Sequence, residues 1–318
     1  MNLFRRTLRL LFVLAGLLVG LVAALAAFFA RQIINPPRLR LWVTPGELGM
    51  PYDHVQFPAL DGIRLSGWFI PALADSRRKG ATIILVHGWP WNRLGTTAVT
   101  LLDKLTNSQP LELMRLAHAL HQDGFNVLMF DLRNHGESAA APPVTFGIEE
   151  SKDLLGAVAF VKTRSEVDPG RIGVIGFSMG GNTVLYTLAQ TREIQAAVAV
   201  QPTSVGIFAE RYGRDNLGPL AILVLPLAER LYRMRGGRPF ADIRPVAAAA
   251  HAGKTPVLYI QGSGDAWGSA ADVAQMASAT PNPSGPLYVE STHRFDGYQY
   301  LLNNPKIATA FFEQHLPE

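Results

Sequence analysis

The stretch R-I-G-V-I-G-F-S-M-G-G, residues 171–181, places one serine, Ser178, among glycines directly after an apolar run. Such a stretch is either a structural turn between a strand and a helix or an elbow that lifts a nucleophilic hydroxyl clear of a sheet. The elbow requires a strand before the serine, a helix after it and small residues beside it. R-I-G-V-I is typical of a strand, N-T-V-L-Y-T-L-A is typical of a helix, and Gly176 and Gly180 flank the serine. The context therefore favours the elbow.

The runs on either side of this stretch predict an α/β fold. Alternating residues around Asp61 and Gly62 predict a hairpin. Continuously apolar runs predict strands at 81–86, 126–130, 171–175, 196–200, 256–260 and 287–290. Helical runs lie at 111–122, 148–163, 179–190, 269–278 and 298–314. Because such strands alternate with helices, we expect a mostly parallel sheet covered on both faces. The stretch at about 202–252 has no clear strand, and we expect it to form a lid over the carboxyl edge of the sheet.

The composition narrows the function classes. The chain has 318 residues, of which 48% are hydrophobic and 17% charged, which favours a globular protein with a large core. It has no cysteine, which excludes disulfides, thiolate metal sites and cysteine nucleophiles. No His/carboxylate metal motif is present, and no basic block is longer than Arg77–Lys79. We therefore expect neither a metal nor nucleic-acid binding.

The N-terminus differs from the rest of the chain. Arg5, Arg6 and Arg9 precede the 21 uncharged, mostly apolar residues Leu10–Ala30, and a helix needs about 20 such residues to cross a bilayer. We interpret residues 1–31 as an uncleaved transmembrane anchor. The alternative is a secretory signal peptide, although its apolar region usually has only about 7–15 residues.

The remaining chain is divided by composition. Prolines make residues 32–51 a predicted linker, and residues 52–318 form the predicted catalytic domain. Basic residues flank the anchor on both sides, so their count barely decides its orientation. The leading basic segment favours an N-terminus inside a bacterial inner membrane and a domain outside the cytoplasm.

A serine hydroxyl needs a base to become a nucleophile. In the chain order serine, acid, histidine, only His293 and His315 lie beyond the candidate acid Asp265. We predict His293 as the base, because it lies in a loop after a strand, whereas His315 lies close to the C-terminus.

A carboxylate is needed to orient that base. Asp265 follows the strand V-L-Y-I in the glycine-rich loop Q-G-S-G, which makes it the predicted acid. Glu290, at the end of a strand, is the weaker alternative. Asp272 is expected to be an exposed charge on the next helix.

The oxyanion of an acyl transfer needs two preorganised N–H donors. We predict the main-chain N–H of Met179, which follows the serine, and that of Trp89 in the loop H-G-W-P. Pro90 has no N–H to offer. His87 and the loop D-L-R-N-H-G-E-S at 131–138 are expected to brace neighbouring loops.

Over residues 52–318, five motifs taken in order resemble the landmarks of the α/β-hydrolase superfamily. They are H-G-W-P, D-L-R-N-H-G-E-S, G-F-S-M-G-G, G-S-G-D and T-H. The nearest resemblance is to bacterial membrane-anchored hydrolases of the serine aminopeptidase-like and dienelactone hydrolase-like branches. It implies an eight-stranded sheet, a triad of Ser178, Asp265 and His293, an oxyanion hole of Trp89 and Met179, and no cofactor. H-G-x-P also occurs in epoxide hydrolases and haloalkane dehalogenases, but these carry aspartate at the elbow.

The expected reaction is acyl transfer to water on a small-molecule or lipid-like acyl substrate, with a carboxylic ester first. A peptide or a thioester is the alternative substrate, since the same triad serves all three. A membrane-tethered binding protein on a hydrolase scaffold is the non-enzyme alternative. The apolar segment 217–227 is expected either to pack on the core as a lid helix, or to line an acyl pocket or touch the bilayer.

Overall fold

The computed structural model describes residues 2–100, 103, 104 and 107–316, and the predicted strand runs form an eight-stranded sheet. The strands are β1 Asp53–Pro58, β2 Arg64–Ile70, β3 Thr82–Val86, β4 Asn126–Phe130, β5 Ile172–Phe177, β6 Ala196–Val200, β7 Val257–Gly262 and β8 Pro283–Val289. Their order is β1-β2-β4-β3-β5-β6-β7-β8. Strand β2 is antiparallel to both neighbours, and the other pairs are parallel. The predicted hairpin and mostly parallel sheet are confirmed.

Helices connect these strands, and the sheet is covered on both faces. They are α1 Asn2–Ile34, α2 Leu113–Gln122, α3 Glu150–Val161, α4 Met179–Leu188, α5 Val205–Leu217, α6 Ala221–Arg233, α7 Pro245–Ala249, α8 Ala270–Ala279, α9 Arg294–Asn303 and α10 Lys306–His315. Short 3₁₀ turns lie at Pro45–Leu48, Gly218–Leu220 and Phe240–Asp242. A ribbon of two short strands pairs Gly95–Thr96 with Leu111–Glu112.

The prediction of one helix over 298–314 is wrong, because the chain forms α9 and α10 with a break at Asn304 and Pro305. Proline has no N–H for a helical hydrogen bond and disfavours helical geometry in the residue before it. Pro305 therefore ends one helix and begins the next.

Every residue of β3, β4, β5 and β6 is buried, which accounts for their continuously apolar sequences. One apolar cluster joins the sheet to α3, α4, α7 and α8. A second cluster joins the opposite side to α2, α9 and α10. The carboxyl ends of the strands between these two layers carry the loops that form the candidate site.

The lid region folds as helices α5, α6 and α7. The segment predicted as a linker lies along the domain surface, where Asn92 Nδ2 donates to the carbonyls of Leu39 and Arg40 at 3.1 Å each. Among the described residues, one helix is long and apolar enough to cross a membrane, Phe4–Ile34 with a mean hydropathy of 2.8.

Candidate active site

Ser178 lies in the strained turn between β5 and α4, with φ 53° and ψ −115°. Positive φ is unfavourable for a residue with a side chain, and such strain is often found at functional sites. Two glycines make the turn possible. A Cβ on Gly176 would lie 2.2 Å from the carbonyl oxygen of Gly180, and a Cβ on Gly180 would lie 2.2 Å from that of Val86. The stretch has the geometry expected of an elbow.

The two residues predicted to supply the N–H donors line the same pocket as the serine. Met179 is the first residue of α4, so its N–H has no acceptor inside the helix and points out of the positive end of the helix dipole. The H-G-W-P loop is packed against the end of β5, because a Cβ on Gly88 would lie 3.1 Å from the Phe177 carbonyl oxygen. Trp89, Met179 and Ser178 line one pocket.

His87 braces this loop, as predicted. Its Nε2 accepts a hydrogen bond from the N–H of Leu132 at 3.0 Å, and its Nδ1 lies 2.8 Å from the Gly88 carbonyl oxygen. These partners require a neutral ring with the proton on Nδ1. Burial lowers the pKa of His87, which keeps that form. The ring therefore ties the loop after β3 to the loop after β4.

The 131–138 loop is braced by an ion pair. Asp131 Oδ2 accepts from the Glu137 N–H at 2.8 Å and from Arg93 Nη2 at 2.6 Å, and both side chains of the Arg93–Asp131 pair are fully buried. Burial opposes ionisation of Asp131, but the Arg93 charge outweighs it and lowers the pKa of Asp131. This loop has the internal bonding expected of it.

Asp265 follows β7 and is 7% exposed. Its Oδ1 accepts from the N–H of Trp267 at 3.1 Å and from that of Gly268 at 2.8 Å, and its Oδ2 lies 3.3 Å from Gln261 Nε2. These donors hold a carboxylate at a strand end, where an acid would be placed.

Arg294 joins the predicted acid to the predicted nucleophile. Its Nη1 lies 2.6 Å from Asp265 Oδ1 and 2.7 Å from Oδ2, and its Nη2 donates to Ser178 Oγ at 3.1 Å. Burial opposes its charge, but Asp265 outweighs that effect and raises the pKa of Arg294. The guanidinium also lies 5.4–5.9 Å from the ring centres of Phe208, Trp267 and Tyr298.

The predicted base lies beside this bridge but takes no part in it. His293 is the N-cap of α9: its Nδ1 accepts from the Phe295 N–H at 3.2 Å, and its own N–H donates to Asp296 Oδ2 at 2.8 Å. The described residues show no hydrogen bond or ion pair from His293 to Ser178 or Asp265. The prediction that His293 contacts both the acid and the nucleophile is therefore wrong for this arrangement, in which Arg294 makes those contacts. Because the imidazole caps the helix, it is the next side chain, Arg294, that extends into the site.

The loops that carry the acid and the base are nevertheless in contact. A Cβ on Gly264 would lie 2.4 Å from the Ser291 carbonyl oxygen and 2.7 Å from the carbonyl carbon of Thr292. The main chain just before His293 therefore lies against the main chain just before Asp265.

The other candidates are placed elsewhere. Glu290 is exposed, and His315 ends α10 and packs on Phe311. The expectation that Asp272 is an exposed charge is wrong. It is 4% exposed and accepts from the N–H and the hydroxyl of Ser204 at 2.7 and 2.9 Å. Those bonds fix the entry of the lid helix α5.

Sequence reasoning missed Arg294 and Gln201. Gln201 has φ 49°, accepts from the Gly262 N–H and donates to the Arg294 carbonyl, both at 3.0 Å. It holds the first residue of α9 against the end of β7. The only available signal was the position of Gln201 at the end of a strand, where polar residues meet in a parallel sheet.

The pocket that Ser178 lines has several aromatic rings in its wall. Phe146, Phe208, Tyr212 and Trp267 contribute rings, and Asn182 and Arg294 are among its polar members. Apolar walls with a few convergent polar groups are typical of small-molecule sites. The lid contributes Phe208 and Tyr212 from α5, so it forms part of the wall.

The sheet order and the strand–elbow–helix arrangement at Ser178 are those of the α/β-hydrolase fold. A family model described as alpha/beta hydrolase fold matches residues 81–219. The chain also resembles the esterase Pf2001 of Pyrococcus furiosus, with 26% identity and a TM-score of 0.68 over 89% of this chain and 100% of that structure.

Curated relatives match over shorter stretches. An uncharacterized Escherichia coli O157:H7 protein, YfhR, is 33% identical over 48% of this chain and 47% of its own length. The thiohydrolase apmlB of Arthrinium phaeospermum is 27% identical over 59% of this chain and 54% of its own length. The chain thus spans about half the length of the curated relatives it matches.

Proposed function

We propose that this protein is a serine hydrolase that cleaves carboxylic esters through an acyl-enzyme on Ser178. The observation that carries the proposal is the serine in a strained elbow that lines a pocket with several aromatic rings. The resemblance to an esterase supports an ester substrate, whereas the resemblance to a thiohydrolase keeps the thioester alternative open. The aminopeptidase-like alternative rests on the sequence motifs alone.

In the proposed reaction, Ser178 Oγ attacks the acyl carbon while His293 takes the hydroxyl proton. The N–H groups of Met179 and Trp89 stabilise the oxyanion, and each such donor typically contributes about 3 kcal/mol. Collapse of this intermediate releases the alcohol, which receives the proton from His293. Water, deprotonated by the same histidine, then attacks the acyl-enzyme and releases the acid and the free serine.

This reaction requires that Asp265 exchange its bonds with Arg294 for a hydrogen bond with His293. The guanidinium occupies both carboxylate oxygens and has no lone pair to accept the serine proton, so the described arrangement is a resting one. The contact between the two loops at Gly264 supports the exchange. Arg294 is therefore a competitor of the base in this proposal.

The same ion pair favours a second candidate function, a binding protein that retains a hydrolase scaffold. If Arg294 never leaves, Ser178 stays a weak nucleophile and the pocket binds a ligand without cleaving it.

Labelling with a fluorophosphonate separates the two functions. The hydrolase forms an adduct that Ser178→Ala abolishes and that His293→Asn slows. The control Ser165→Ala, at an exposed serine after α3, should leave the adduct unchanged. Absence of an adduct on the wild-type protein would favour the binding protein. Rates on matched ester, thioester and aminoacyl-amide probes then rank the three substrate classes.

We further propose that α1 is retained as an anchor in a bacterial inner membrane with the domain outside the cytoplasm. The apolar length of α1 supports the anchor. Added protease should digest the domain in spheroplasts and spare it in intact inverted vesicles. The reverse pattern would place the domain in the cytoplasm, and a mature chain lacking the N-terminal residues would identify a signal peptide.

A further inference from the structure

One side of α1 packs against the lid helix α6. Val22, Ala26 and Ala30, spaced four residues apart, are 9%, 0% and 2% exposed, and they meet Val224 and Ala228 of α6 in one apolar cluster. Small residues at this spacing let two helices approach closely, an arrangement common within membranes. The helix that enters the membrane is therefore also a support of the lid.

The two helices run in the same direction. Near the end of α6, the Tyr232 hydroxyl donates to the Val144 carbonyl at 2.8 Å, and the Val144 N–H donates to the Ile33 carbonyl at 3.2 Å. Those bonds place the C-terminal end of α6 beside the C-terminal end of α1. The first turns of α6 consequently lie beside Val22 and Ala26.

This register determines the depth of the lid. If Leu10–Ala30 spans the hydrocarbon core, Val22 lies about 12 Å inside it, measured from Ala30 at 1.5 Å per residue. The segment 217–228 has no charged residue, and the charges of α6 begin at Glu229. Ile222 is 80% exposed and Leu223 is 50% exposed, although both are large and apolar.

We propose that the lid tip, residues 217–225, is inserted in the bilayer leaflet that surrounds the C-terminal half of α1. The partner of Ile222 and Leu223 is the acyl region of the lipid. The exposed apolar side chains of the lid tip continue those of α1, among them Leu17, Leu18 and Leu21. Leaving such a surface in water is unfavourable, and the neighbouring helix already brings the membrane to it.

Two residues of the pocket lie against α1, close to this membrane contact. The ring of Tyr212, a pocket residue, lies 6.2 Å from the ring of Phe29, and Trp89 Nε1 donates to the Gln32 carbonyl at 3.3 Å. On the proposed hydrolase function, the substrate class is therefore an amphiphilic ester whose acyl chain enters from the leaflet. This part of the inference depends on that function, whereas insertion of the lid tip does not.

The absence of cysteine allows a direct test of insertion. The full chain is placed in nanodiscs with a single environment-sensitive fluorophore on Ile222→Cys or Leu223→Cys. Leu14→Cys, in the apolar run, is the membrane control, and Leu60→Cys, a 68% exposed leucine in the β1–β2 turn, is the aqueous control. We expect the lid labels to be quenched by spin-labelled lipids, as at position 14, and protected from aqueous iodide. Quenching by iodide as at position 60 overturns the proposal.

Activity tests the substrate class separately. In the double variant Ile222→Asp/Leu223→Asp, hydrolysis of a long-chain ester carried in vesicles should fall on the order of tenfold, because the charged residues oppose insertion. Hydrolysis of a short soluble ester should persist, and Leu60→Asp should change neither rate. Equal loss on both esters overturns the substrate class. Lack of any ester hydrolysis in the wild-type protein contradicts the proposed function, while the fluorescence result still decides the insertion.

Discussion

Substituting Arg294 tests whether it competes with His293 for Asp265. In Arg294→Gln the charge is removed and the side chain becomes shorter, although it remains polar. The substitution removes the bonds of Nη1 to the two Asp265 oxygens, at 2.6 and 2.7 Å, and the bond of Nη2 to Ser178 Oγ at 3.1 Å. We expect faster labelling of Ser178 together with lower stability, a combination that a purely structural residue would not produce.

The magnitudes follow from the ion pair. A hydrogen bond to a charged group contributes about 1.5–3 kcal/mol net, so its loss should favour the exchanged arrangement by about 10- to 100-fold. The fluorophosphonate labelling rate should rise by a similar factor. Breaking a buried pair costs about 3–5 kcal/mol, but Asp265 keeps the N–H donors of Trp267 and Gly268. We therefore expect the free energy of unfolding to fall by about 2–4 kcal/mol.

The assay measures labelling kinetics and urea unfolding on the same preparations of wild type, Arg294→Gln, His293→Asn and the double variant. The gain in rate should disappear in the double variant, because it acts through His293. A slower rate in Arg294→Gln would refute the competition and assign Arg294 a positioning role. A faster rate that survives His293→Asn would refute His293 as the base.

Four further variants test the elbow and its braces. Gly180→Ala should lower the free energy of unfolding by about 1–3 kcal/mol and abolish labelling, because its Cβ would lie 2.2 Å from a carbonyl oxygen. Gly181→Ala is the control and should be tolerated, because its nearest contact is at 3.4 Å. Equal effects of the two variants would contradict the elbow packing. Burial, followed by the neighbouring imidazole of His87, lowers the pKa of His135 to about 3, from a usual value near 6.5. The stability that depends on neutral His135 is therefore fully present above pH 6.5. It should fall towards pH 3 by up to about 1.4 kcal/mol per pH unit. His135→Asn should flatten that decline in urea titrations, and parallel pH curves would exclude this residue as the cause. Arg93→Met should lower the free energy of unfolding by about 3–5 kcal/mol, because it leaves the fully buried Asp131 side chain without its counter-charge. A loss below about 1 kcal/mol would show that the remaining hydrogen bonds are enough to stabilise the Asp131 carboxylate.

Local patterns in the sequence predicted most of the fold. The wholly buried strands were visible as continuous apolar runs, and the hairpin was visible as alternation around Asp61 and Gly62. The elbow was recognisable because its glycines surround the serine within a few residues. These features depend on neighbours in the chain, so the sequence displays them directly. The break at Pro305 had a local signal as well, which the longer apolar pattern concealed.

Tertiary structure alone decided which of two adjacent side chains meets the acid and the nucleophile. His293 and Arg294 are neighbours in one loop, and their roles in this arrangement depend on the cap of α9 and on Gln201, from a strand about 90 residues away. The packing of α1 on α6 likewise joins residues about 200 positions apart. A sequence shows that a residue is apolar or ionisable. Which partner that residue meets is determined by packing between distant segments, because burial leaves each buried charge or apolar face only the partners that the fold brings to it.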